Sequence, residues 1–296
     1  MRWRGRRGSS NIEDRRGRGG GGRTVRIGRG GGGTAKLGGF GLLIVLALGW
    51  FLGIDVTPFL GGGGQYVQTG APTQSRPISE AEQQEAQFVS VVLADTEEVW
   101  ADIFARQVGR AYDEPTLVLY SGVTSSPCGG ASGATGPFYC PADEKIYLDT
   151  GFFTTMERQL GAGGDFAAAY VVAHEAAHHV QQELGILGQA NRIRAQVSEA
   201  ESNAISVRIE LQADCYSGIW ARAAQARFGT LEPGDVEEAV NAARRIGDDH
   251  LAERAGRVPM PHTFTHGTSE QRARWFATGW ETGSLEACDT FGTERL

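Results

Sequence analysis

His174, Glu175 and His178 form the run His-Glu-Ala-Ala-His. It follows an apolar segment, Phe166–Ala173, whose composition predicts a helix. Residues four apart share a helical face, so the two imidazoles can meet one metal ion. Glu175 leaves that line but stays close enough to act on a water at the metal. This is the zincin pattern of two His ligands and a Glu general base. It predicts one Zn2+ per chain.

A catalytic zinc takes three protein ligands and keeps one open position. A third His ten residues after the first is excluded, because Leu184 stands there and Gln181 replaces the expected turn glycine. A Glu on a later helix remains, with Glu199, Glu201 and Glu210 as candidates. Glu210 is favoured. Asp214 lies four residues on, on the same face, where it can accept a ligand imidazole N–H and fix its tautomer. His179 turns about 100° away from His178 and is expected in a supporting position or at the surface. The tetrahedral oxyanion of peptide hydrolysis needs a further donor. His266 is the candidate, with Arg272 and His262 behind it.

These groups need a scaffold. The spacing of apolar residues predicts a helix from about Ser79 to Val108 and a short one around Phe152–Leu160. The active-site helix should end near Gly185, and two more helices run over about Ser198–Arg227 and Gly234–Ile246. Thr116–Ser121 and Lys145–Asp149 read as strands. Lys145–Asp149 or a neighbour could be an edge that holds an extended peptide by main-chain hydrogen bonds. The class expected is α+β: a mostly helical zincin-like metallopeptidase domain with a small sheet, preceded by a single transmembrane helix.

The charge is uneven. The 296-residue chain carries a net -7, but residues 1–36 carry eleven basic side chains against Glu13 and Asp14. The expected divisions are a disordered, cytoplasmic Gly/Arg-rich arm over 1–36, an anchor over 37–58, a flexible linker over 59–76 and the metallopeptidase domain over 77–296. The anchor rests on seventeen uncharged residues, Gly38–Ile54, behind a basic flank. A cleaved signal peptide fits less well, because no small-residue cleavage site follows Ile54. The predicted localisation is a cell membrane, single-pass, with the N-terminus cytoplasmic and the catalytic domain outside. The acidic body argues against nucleic acid as the main partner. The expected partners are the membrane, through that one helix, and a peptide or protein substrate.

Four cysteines suit an extracytoplasmic body. Cys128 and Cys140 flank a loop suited to closure by a disulfide, which leaves Cys215 and Cys288 as the second pair. Four cysteines alone allow three connectivities.

At these residues the chain resembles the family of bacterial putative neutral zinc metallopeptidases. The matching pieces are Phe138–Pro141, Ile146–Asp149, His174–Gln181, Glu210–Cys215, Ile246–Asp249 and Thr265–Gly267 through Gln271 and Arg272. The resemblance spans most of residues 75–296, with the basic arm outside it. It implies a membrane-tethered zinc peptidase domain with His174, His178 and Glu210 as ligands and Glu175 as the catalytic acid. The rival expectation is a zinc-stabilised envelope scaffold that binds a partner without cutting it.

Overall fold

The computed structural model describes residues 1–17, 77–132 and 136–296. A four-stranded sheet forms one layer, in the order β1 (Ile12–Asp14), β2 (Thr116–Tyr120), β6 (Lys145–Asp149), β5 (Phe138–Cys140). The first three strands are parallel, and β5 runs antiparallel to β6, with Tyr139 opposite Ile146. Between β2 and β5, the pair β3 (Val123–Ser126) and β4 (Gly129–Ser132) forms a separate hairpin. β2 and β6 are covered on both faces, which is why their sequences read as continuous apolar runs. Leu117, Leu119, Ile146 and Leu148 face the main core. Val118, Tyr120 and Tyr147 face a smaller cluster with Cys140 on the other side.

The helices pack on the main-core face. α1 (Glu80–Ile103) starts at a capping box, in which Ser79 and Glu82 satisfy each other's backbone N–H groups. α2 (Phe152–Thr155) runs into a π turn, Met156–Leu160. α3 (Asp165–Glu183) is the predicted active-site helix, buried continuously from Phe166 to Gln181. α4 (Ile186–Arg194) follows where the sequence predicts no helix, because its composition is polar and mixed. α5 (Glu199–Phe228), α6 (Asp235–Arg245), α7 (Asp248–Arg254) and α8 (Ser269–Thr282) complete the layer. α5 and α8 cross closely at two glycines. A Cβ on Gly279 would meet the Cys215 carbonyl oxygen at 1.8 Å, and one on Gly218 would meet that of Phe276 at 2.0 Å. The disulfides join Cys128 to Cys140 and Cys215 to Cys288.

The N-terminal segment departs most from expectation. Residues 1–17 are not a disordered arm. They pack on the domain and supply an edge strand of its sheet. Met1 and Trp3 are buried, and the Trp3 ring meets Phe88 edge-on at 5.5 Å. The Met1 ammonium lies 2.5 Å from Asp165 Oδ1 and 3.3 Å from Asp235 Oδ1. Arg6 pairs with the buried Asp95, and Ser9 and Asn11 bond Glu97, both on α1. The segment has little hydrophobic periodicity because it is held largely by charged and polar pairs to acids on another helix.

Among the described residues no helix is long and apolar enough to cross a membrane, so the transmembrane part of the expected fold class is not supported. The predicted anchor, 37–58, the linker, 59–76, and the rest of the arm lie outside the described residues. The mostly helical α+β body agrees with expectation.

Candidate functional site

α3 carries the central groups. Gly164, just before it, has φ +111°, and the Glu238 carboxylate fills the space where a Cβ would stand and accepts the Phe166 N–H at 3.2 Å. Two turns on, Tyr170, His174 and His178 lie on one face, spaced by four. α5 passes alongside and presents Glu210 and Asp214, also four apart. Glu210 Oε2 lies 3.1 Å from His174 Nε2, and Oε1 lies 3.6 Å from His178 Nε2. The ligating atoms of all three residues fall within 4.8 Å of one another, and all three are buried. Glu199 and Glu201 stand in the first turn of α5, where Glu201 closes a capping box with Ser198.

Each imidazole is fixed from behind. His178 Nδ1 lies 2.9 Å from Gln181 Oε1. The Gln181 amide nitrogen donates to Ile209 O and Gln212 Oε1, so its oxygen is the acceptor and His178 Nδ1 carries the proton. His174 Nδ1 sits 3.0 Å from Asp214 Oδ1, off the line of an ideal hydrogen bond. Asp214 is held by Arg272, which donates from Nε and Nη2 at 2.8 and 3.0 Å, and by the Tyr170 hydroxyl at 2.5 Å. Both Nε2 atoms are thereby left to face Glu210.

The electrostatics agree with a cation site. Burial raises the Glu210 carboxyl, but His178 and His174 outweigh it and hold it well below the usual range. Burial lowers His174, but the contacts to Asp214 and Glu210 push it up to about 10. Two imidazole nitrogens, each backed by an outer partner, and a carboxylate oxygen are the donor set that zinc takes. The residues fit the ion.

Glu175 shares the cleft with these three residues and is also buried. Burial raises its carboxyl; the two imidazoles and the Tyr139 backbone N–H work against that. β5 is thus the strand beside the site. The expected edge was Lys145–Asp149 or a neighbour: Lys145–Asp149 is flanked on both sides by β2 and β5 and cannot receive a further strand, whereas its neighbour β5 is an edge of the sheet. His179 ties β5 to α3. Its Nε2 donates to Asp113 O at 2.7 Å, so its Nδ1 accepts from the Tyr139 hydroxyl at 3.0 Å.

His266 lines the same cleft. Its Nδ1 lies 3.2 Å from Asp248 Oδ1, and Asp248 Oδ2 accepts the N–H groups of Thr265, His266 and Gly267 at 2.8, 2.6 and 3.1 Å. With Nδ1 engaged, Nε2 is the nitrogen left for the cleft. Arg272 is buried against Asp214 and Tyr170, so it supports the site from behind and is not the donor expected beside His266. His262 is exposed in a 3-10 turn and does not line the cleft. The residues missed from sequence are Gln181, Tyr170 and Asp248. The four-residue spacing of Tyr170 before His174 was a usable signal for Tyr170. Nothing local to Gln181 or Asp248 reveals what they orient.

The profile of the family described as "Putative neutral zinc metallopeptidase" matches residues 1–291. The match takes in the N-terminal segment that the sequence reading placed outside the shared region. The chain is 46% identical to the uncharacterized protein YpfJ of Escherichia coli K12 over 293 residues, 99% of each chain. It is 44% identical to the uncharacterized protein Rv2575 of Mycobacterium tuberculosis H37Rv over 195 residues, 62% of this chain and 65% of that one. No solved structure gives a significant match. The chain belongs to this family, "Putative neutral zinc metallopeptidase".

Proposed function

We propose that the protein is a zinc-dependent peptidase, with His174, His178 and Glu210 as ligands and Glu175 as general base. The observation that carries the reading is the convergence of both Nε2 atoms and the Glu210 carboxylate within 4.8 Å, beside the buried Glu175. Bound zinc would polarise the scissile carbonyl and make a water nucleophilic near neutral pH. The Glu175 carboxylate takes the proton from the attacking water and returns it to the leaving amine. His266, oriented by Asp248, donates from Nε2 to the developing oxyanion. Asp214 and Gln181 keep the ligand imidazoles in the tautomers that leave Nε2 free. Two disulfides favour a compartment more oxidising than the cytoplasm.

The test is metal content and peptide-library cleavage for the full chain and Glu175→Gln. One zinc in each, with cleavage by the wild type alone, is the expected result. One zinc in each, with cleavage by neither, would favour a zinc-stabilised scaffold.

A further inference from the structure

The walls of the cleft differ from its floor. The floor holds His174, Glu175, His178 and Glu210. Around it stand Phe138 on β5, Phe152 on α2, Leu160 at the end of the π turn, Val171 on α3, Ile246 after α6 and Leu251 on α7. Phe138, Phe152, Ile246 and Leu251 are only partly buried by the rest of the fold. A side chain entering the cleft would cover their remaining apolar surface.

The charged groups lining the cleft are already engaged. Arg272 is bidentate with Asp214, His266 pairs with Asp248, and Glu210 faces the two imidazoles. Glu175 is the base, and no lysine lines the cavity. A charged side chain of a substrate would lose its water here without gaining a partner, whereas an apolar one gains in proportion to the area it buries. The cavity measures about 130 Å³, several times the space of one water molecule.

We infer that this wall is a specificity pocket for a bulky apolar side chain, leucine- or phenylalanine-like, next to the scissile bond. The substrates are then apolar segments of peptides or unfolded proteins. The inference rests on the peptidase reading, and the test separates the two.

The zinc-loaded full chain is given a peptide series varied at one position to Leu, Phe, Ala, Asp and Lys. In parallel, calorimetry measures binding of leucine hydroxamate and glycine hydroxamate, which needs no turnover. The expected result is a kcat/KM at least about tenfold higher for Leu and Phe than for Asp or Lys, with leucine hydroxamate bound more tightly than glycine hydroxamate. Leu251→Lys, on a half-buried helix face, should narrow the Leu-to-Asp ratio. Equal cleavage of Leu, Asp and Lys peptides would overturn the pocket and leave the peptidase reading intact. If no peptide is cleaved, the peptidase reading fails and the hydroxamates decide: a preference for leucine retains the apolar pocket, and equal binding removes it.

Discussion

Asp214 and Arg272 form a buried two-point ion pair, at 2.8 and 3.0 Å, one layer behind His174. The pair lies between α5 and α8 and also holds the Tyr170 hydroxyl, so it ties three helices together directly beneath the His174 imidazole. Arg272→Met would leave a buried carboxylate without its cation. Such a loss costs about 3–5 kcal/mol. Denaturant unfolding of the variant should show it, and an unchanged midpoint would mean that Asp214 finds another partner.

Asp214→Asn tests the outer ligand role separately. It keeps the shape but loses the charge facing His174 Nδ1. Outer partners of a ligand imidazole typically contribute about 10–100-fold in metal affinity. Competition with a chelator should show weaker zinc binding of that order. Gln181→Leu should act on His178 in the same direction.

In the proposed mechanism the Asp248–His266 pair acts on the oxyanion, not on the metal. His266→Ala should lower kcat by about 10²–10³, the usual loss for one oxyanion donor, while zinc content stays at one per chain. Zinc loss in this variant would move His266 from donor to ligand support. Asp248→Asn should fall between the wild type and His266→Ala, because it frees the imidazole without removing it.

The N-terminal segment is part of the fold. Trp3→Ala removes a buried ring that packs on Phe88 and should cost about 3–5 kcal/mol, read from thermal or denaturant unfolding. Its docking should also depend on pH. Arg15 and Lys145 hold the Glu13 carboxyl down to about 2. The folded state therefore binds this proton later than the unfolded chain. The contribution is full above the ordinary carboxylate range near 4.5 and disappears as pH falls toward about 2. Glu13→Gln should flatten stability against pH in that window only.

The Cys215–Cys288 bond fastens α5 to the C-terminal turn across 73 residues of sequence. Replacing both cysteines by alanine should lower stability by about 2–4 kcal/mol. The Gln212 side chain, which bonds Cys288 O and Gln181, lies on the same connection. Zinc affinity should therefore fall together with stability in the double variant.

The sequence by itself pointed to the residues of the candidate inner site. His174, Glu175, His178, Glu210 and Asp214 are legible because a helix repeats every 3.6 residues, so spacing alone places side chains on one face. The strands β2 and β6 were legible as short apolar runs and most helices by their spacing, since both patterns are local. Tertiary structure alone decided the rest. Gln181 and Asp248 look like solvated polar residues until Gln212 and His266 are brought to them from 31 and 18 residues away. The first 17 residues look like a solvated basic tail, because their partners are acids on α1 and a strand edge about 100 residues on. Long-range ionic and main-chain pairing leaves no period in a sequence. That is why the outer layer of the site, the true edge strand and the place of the N-terminus emerged only from the folded chain.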